Sequence, residues 1–111
     1  MMITTVDRVE GHQVVRTLGL VRGNTIRTKH LGKDITAWLR FLVGGEVREY
    51  TKMMAQAREQ SLDRMIEEAR ALGANGVLGT RFQTSKIMSG ASEILCYGTA
   101  VVLEPEEGRG A

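Results

Sequence analysis

The chain is poor in residues that disulfide-bonded scaffolds and aromatic cofactor sites depend on. Its 111 residues include one cysteine, one proline, one tryptophan, two tyrosines and two phenylalanines. A single cysteine cannot form an internal disulfide, which argues against a small secreted scaffold. So few aromatic residues, with no sign of a stacking pair, argue against a flavin site.

Membrane spans and strong charge of one sign are also missing. No apolar run approaches the roughly 20 residues that a membrane span requires, and the N-terminus lacks the basic start and apolar core of a signal peptide. The net charge is +2, because 15 basic residues are interleaved with 13 acidic ones. This balance argues against a phosphate-binding stripe. We therefore expect a cytoplasmic protein with neither nucleic acid nor membrane as its partner.

The longest regular pattern is an amphipathic segment from Glu46 to Gly73, which predicts one long helix. Gly73 follows Leu72 at the position where a glycine commonly ends a helix. One broad face of this helix carries Val47, Tyr50, Met54, Ala57, Ser61, Met65, Ala69 and Leu72.

Shorter elements surround this helix. A stripe of apolar residues and an N-cap aspartate predict a short helix over Asp34 to Val43. Turn chemistry is predicted at Arg22-Gly23-Asn24, and a loop over Ser85 to Ser92. Four β-prone segments are Ile3 to Val6, Gln13 to Val21, Val77 to Thr84 and Glu93 to Leu103.

The order β-β-α-α-β-β predicts an α+β fold, with a single sheet of about four strands packed on one long and one short helix. Residues 1–104 form one domain, and residues 105–111 are expected to be a disordered tail. Two of the strands are apolar on both faces, yet the two helices cover only one side of the sheet. We therefore expect a second copy of the chain to cover the other side in a homo-oligomer.

Several short motifs together resemble the YbjQ family over about residues 2 to 103. They are Glu10-Gly11, Val21-Arg22-Gly23, the Asp34-to-Gly45 helix closing in Leu42-Val43-Gly44-Gly45, Tyr50, Ala57-Arg58-Glu59, the block from Ala69 to Gly79, and Gly98-Thr99-Ala100-Val101. The resemblance implies a cytoplasmic protein with a dodecin-like α+β subunit, assembled as a homopentamer. It also implies an unassigned activity that carries a heavy-metal-binding label.

The soft and imidazole metal ligands are His12, His30 and Cys96, and no two of them have the short spacing of a metal motif. Cys96 lies in the middle of the most apolar strand, where a free thiol behaves as a small hydrophobic side chain. A symmetric ring could gather one His12 from each subunit. His12 and Cys96 are therefore weak metal candidates.

Arg58 lies on the apolar arc of the long helix, away from the other charges. A buried guanidinium must be paired, so we expect Glu10, Glu46 or Glu93 of the same or a neighbouring subunit, or a bound acidic ligand, to pair with it. Tyr50 lies on the same helix face and is expected to need a hydrogen-bond partner for its hydroxyl.

Enzyme motifs are missing from the sequence. No serine has a histidine near it in the chain, and the glycines form neither a dinucleotide-binding nor a P-loop pattern. The sequence favours a binding or scaffold module over a catalyst. Two alternatives stay open: heavy-metal or small acidic ligand binding at subunit junctions, and an enzyme with an inter-subunit site.

Overall fold

The computed structural model describes residues 1–28 and 45–106, with helix side chains described from Thr51 onward. The predicted short helix, His30 and the last five residues lie outside these ranges. The described elements are β1 (Met2–Ile3), β2 (His12–Thr28), α1 (Gly45–Ala71), β3 (Gly76–Met88) and β4 (Ala91–Pro105).

The strands form one four-stranded mixed sheet in the order β1-β3-β4-β2. β1 pairs in parallel with the start of β3, whereas β4 pairs in an antiparallel manner with β3 on one side and β2 on the other. The prediction of an α+β fold with one sheet of about four strands is confirmed, and so is the long helix. No helix in the described ranges is both long and apolar enough to span a membrane.

Three predicted strand ends are placed differently in the structure. Arg22-Gly23-Asn24 does not form a turn, because β2 continues through it to Thr28. The segment Ser85 to Ser92 is not a loop; β3 and β4 extend into it and leave a two-residue connection at Ser89 and Gly90. Pro105 is the last residue of β4 and lies opposite His12.

A row of buried residues, three of them small, brings α1 close to the sheet. Ala57, Ser61, Met65 and Ala69 are fully buried and recur every fourth residue, so they form one narrow stripe. A Cβ atom added at Gly23 would collide with the backbone of Ser61 and Met65, and would lie 2.8 Å from the Cβ of Arg64. Gly23 is therefore required for the close approach of helix and strand, which explains why it lies inside a strand.

Polar groups in this contact are paired. The Ser61 hydroxyl lies within hydrogen-bond distance of Thr25 Oγ1, at 2.8 Å, and of the carbonyl oxygen of Ile94, which accepts, at 3.0 Å. Because both hydroxyls are buried, these bonds offset the cost of removing them from water. The same three residues therefore join α1, β2 and β4.

The exit from α1 is fixed by two sets of hydrogen bonds. Gly73 has a φ of 88°, its N–H donates to the Arg70 carbonyl, and the Ala74 N–H donates to the Ala69 carbonyl. These bonds form a Schellman motif, which confirms the predicted helix end at Gly73. The Asn75 side chain then binds both backbone groups of Leu103, with its Nδ2 donating at 2.8 Å and its Oδ1 accepting at 2.7 Å.

We call the sheet face opposite α1 the open face. The alternation of side chains along each strand identifies the residues that lie on it. Thr25 and Cys96 contact the helix through Ser61 and Met65, so their neighbours in β2 and β4 point the other way. Leu20 is 66% exposed and Ile26 is 53% exposed on that face. Among the described residues, the end near Leu103 is covered, because Leu78, Val101 and Leu103 pack there with Val9.

We expect Gly23→Ala to lower the free energy of unfolding by about 1 to 3 kcal/mol, because the new methyl group meets helix backbone that cannot rotate away. Urea unfolding at a fixed protein concentration measures this change. Gln13→Ala is the matched control on the exposed part of β2 and should change stability by no more than about 0.5 kcal/mol. An equal effect of both substitutions would contradict the close contact.

Candidate functional site

Two adjoining hollows lie where the segment before β2 meets the end of β4. The first has a volume of about 330 Å³ and is lined by Arg8, Val9, Glu10, Gly11 and Glu106. The second, of about 220 Å³, shares three of these residues. Its lining is Asp7, Arg8, Val9, His12, Gln13, Val14, Leu103 and Glu106.

Backbone hydrogen bonds hold the segment that forms these hollows. The Gly79 N–H donates to the Val6 carbonyl, and the His12 N–H donates to the Val9 carbonyl. Gly11 has a φ of 77°, which confirms the turn predicted for Glu10-Gly11, and its carbonyl accepts a bond from the Glu106 N–H. The chain therefore brings residues about 95 positions apart in the sequence to one place.

The hollows combine carboxylates, a guanidinium and an imidazole. Glu10 and His12, both predicted as site residues, lie here, and His12 Nδ1 is 3.2 Å from the carbonyl oxygen of Glu10. Arg8 and Glu106 were not predicted. Arg8 follows a short strand with no motif around it, and Glu106 belongs to the segment predicted as a tail. These groups can bind a small charged ligand.

The described residues of one chain do not form a complete metal centre. Within residues 1–28 and 45–106, no group of three or more His, Cys, Asp or Glu side chains converges as metal ligands. Soft or transition metals require three or four such ligands. A heavy-metal site at His12 and Glu10 would therefore need ligands beyond the described residues of one chain.

Cys96 is separated from this site and lies in the hydrophobic core. Its side chain is fully buried, and its Sγ is 3.7 Å from the Sδ of Met65. Burial raises the pKa of the thiol from 9.0 to about 11, because the thiolate would lose its hydration. Since the thiolate is the form that binds metals, this environment supports the structural interpretation of Cys96.

The structure does not bury Arg58 within the chain. The buried stripe of α1 follows Ala57 and Ser61, and the Arg58 side chain is exposed beside it. Arg58 is exposed in the single chain, so the burial of its guanidinium and its pairing across an interface stay predictions about the assembly. Of the three predicted partners, Glu93 accepts a hydrogen bond from Asn24 Nδ2 at 3.2 Å.

Two further predicted residues, Tyr50 and Glu46, lie in α1. Their side chains are outside the described part of the chain. The predicted hydrogen bond of the Tyr50 hydroxyl therefore stays a prediction.

The pKa of Cys96 predicts a pH dependence of stability. The unfolded chain loses the thiol proton near pH 9.0, whereas the folded chain keeps it until about pH 11. Deprotonation in this window favours the unfolded state, so the stability that depends on the thiol is lost as pH rises from 9.0 to 11. We expect the difference in unfolding free energy between the wild type and Cys96→Ala to be constant below pH 9.0 and to narrow above it. Urea titrations in which this difference in unfolding free energy stays constant up to pH 11 would contradict the raised pKa of the Cys96 thiol.

Comparisons with known proteins place this geometry in a family. A UPF0145 protein of Thermus thermophilus is 55% identical over 109 residues, covering 98% of this chain and 96% of the relative. A UPF0145 protein of Methanococcus vannielii is 56% identical over 104 residues, covering 94% of this chain and 99% of the relative.

The fold is also similar to a solved structure. A crystal structure of a protein of unknown function of the DUF74 family, from Pediococcus pentosaceus, has a TM-score of 0.65 and 17% sequence identity. The match covers 94% of this chain and 98% of that one. The YbjQ family model, described as "Putative heavy-metal-binding", matches residues 1–104. The chain therefore belongs to the YbjQ family.

Proposed function

We propose that the chain is a subunit of a closed homo-oligomer that acts as a binding or scaffold module rather than as a catalyst. The observation that carries this proposal is the uncovered open face of the sheet. Large apolar side chains such as Leu20 and Ile26 are more than half exposed there. Exposed apolar surface of this kind is typical of interfaces between proteins.

The free edges of the sheet support a ring. β2, with 17 residues, is an edge strand, and β1 pairs with only the first residues of β3. Among the described residues, the far end of β3 therefore forms a second edge on the opposite side of the sheet. Unpaired edges pair readily with other strands. Two different edges meeting head to tail give a heterologous contact, which closes into a ring when the rotation allows it.

The far end of β3 also carries uncovered apolar side chains. Phe82 lies opposite Cys96 and so shares its face, yet Phe82 is 47% exposed because α1 packs mainly over β2 and β4. Met88, near the hairpin turn, is 64% exposed. These side chains are suited to contact a neighbouring copy.

The dimensions of the chain support the same proposal. The Cα radius of gyration is 18.9 Å, whereas a compact domain of this length has about 13 Å. The accessible surface is 7684 Å², compared with about 6,000 Å² for a compact monomer of similar mass. A chain this extended gains apolar burial by assembling. The family resemblance favours five copies.

A binding role fits the described cavities better than catalysis does. The hollows near Glu10 and His12 are small and lie at the surface. Catalytic groups usually combine a cleft with a shifted pKa, whereas Cys96, whose pKa is raised by burial, lies in the core and away from these hollows.

Light scattering after size exclusion tests the assembly. We expect the wild-type mass to be five times the chain mass of 12.2 kDa. Introducing Lys at both Leu20 and Ile26 places charge on the open face, so the mass should fall toward that of one chain. Leu72→Lys is the matched control, because Leu72 is 48% exposed beyond the end of α1. A wild-type monomer, or equal dissociation by the control, would overturn the proposal.

Arg58 provides a separate test. If its guanidinium is paired across an interface, Arg58→Met removes that pair and should either lower the assembled mass or abolish binding of an acidic ligand. Arg70→Met removes the same charge from another exposed position in α1 and should leave both unchanged. Light scattering measures the first outcome, and calorimetry with acetate, a single carboxylate, measures the second. An Arg58→Met protein identical to wild type in both would rule out this role.

A further inference from the structure

Three polar side chains form a row across the middle of the open face. Arg22 of β2 and Arg81 of β3 both lie opposite Tyr97 of β4. Side chains directly opposite one another project to the same face of a sheet, and the neighbouring Cys96 contacts the helix on the other face. Arg22, Tyr97 and Arg81 therefore project together, away from α1.

This arrangement places two positive charges on either side of one aromatic ring. Neighbouring strands are about 4.8 Å apart, so the two arginine backbones are separated by roughly 10 Å. Both arginines are exposed and Tyr97 is half-buried. The phenol thus lies between the two arginine side chains. Its ring can stack with a guanidinium, and its hydroxyl can donate a hydrogen bond to an anion.

The two guanidinium groups retain free donors. Arg81 Nη1 donates to the carbonyl oxygens of Thr5 at 2.8 Å and Thr80 at 2.9 Å. These bonds orient the group and use two of its five N–H donors, which leaves three. No group of residues 1–28 or 51–106 pairs with the Arg22 guanidinium.

The nearby acid on this face is already engaged. Glu93 lies opposite Ile26, and its carboxylate accepts a hydrogen bond from Asn24. The row next to the arginines consists of Asn24, Leu95 and Gln83, which adds amide groups without adding charge. The centre of the open face is therefore positively charged and rich in hydrogen-bond donors.

We propose that Arg22, Tyr97 and Arg81 bind a small oxyanion that carries two charged groups, such as a diphosphate or a dicarboxylate. Each guanidinium binds one charged group in the forked geometry that arginine prefers, and the tyrosine hydroxyl donates between them. All three side chains come from a single sheet, and Arg22 lies between Leu20 and Ile26 along β2, so in the proposed oligomer the oxyanion would bind at the contact between two copies. In this respect the inference rests on the proposed function.

Titration calorimetry at an ionic strength of about 0.15 M, where distant charges are screened, tests the site, with pyrophosphate and succinate as the two probes. We expect at least one of them to bind, and inorganic phosphate to bind more weakly because it offers a single charged group. Arg22→Gln should weaken binding by about tenfold or more, since it removes a charge-assisted forked contact. Arg81→Gln should do the same.

Arg16→Gln is the matched control, because Arg16 is exposed on the same strand outside the row. It should change affinity by no more than about twofold at moderate salt, as expected for a distant surface charge. Circular dichroism and light scattering confirm that each variant folds and keeps the wild-type mass.

Three results would overturn the proposal. The first is no binding of either probe by the wild type. The second is equal weakening by Arg16→Gln and Arg22→Gln, which would indicate an unspecific charge effect. The third is a combination of two results: the wild type binds neither probe, and the assembled mass falls with Arg22→Gln. This combination would indicate that the row pairs with carboxylates of a second copy. Failure of the oligomer itself is seen separately in the wild-type mass.

Discussion

The close contact between α1 and β2 at Gly23 is the constraint on which the rest of the fold depends. A glycine in the strand and small residues on the helix bring the two backbones together. This contact buries Ser61, whose hydroxyl joins Thr25 and Ile94. Because the contact is narrow, the helix covers only part of one face of the sheet. The uncovered surfaces, and the interfaces proposed for them, follow from that geometry.

Much of the fold can be predicted from periodicity, and the strand ends cannot. The 3.6-residue pattern and Gly73 define the long helix closely. Arg22-Gly23-Asn24 looks like a turn in the sequence because glycine and asparagine favour turns. In the fold, Gly23 instead provides space for a helix that lies nearly 40 residues further along the chain. Local propensity contains no information about that distant contact.

The candidate sites also differ in how far the sequence predicts them. Glu10 was predicted as a partner for Arg58 and His12 as a weak metal candidate, and they line two adjoining hollows; neither predicted role is tested by the fold. The pairing of Arg22, Tyr97 and Arg81 depends on strand register, which shifts at a bulge between Leu78 and Arg81. A one-residue change of register moves a side chain to the opposite face. Sequence alternation alone could not place Arg81 beside Tyr97. Arg58 is a residue that the sequence pattern places differently from the fold. Helical phase assigns it to the apolar arc of α1, but the contact between α1 and the sheet is too narrow to bury it in the single chain.

The Asn75 side chain has a consequence for how this chain can vary. Its amide group forms the two hydrogen bonds that a residue of a neighbouring strand would form, because it binds both the N–H and the carbonyl of Leu103. Gly73 and Ala74 close the helix just before it. The connection from α1 to β3 is therefore fixed at both ends, and its length cannot change without breaking these hydrogen bonds. Insertions or deletions between Leu72 and Gly76 would separate the helix cap from the strand, so length variation belongs in other connections of the chain.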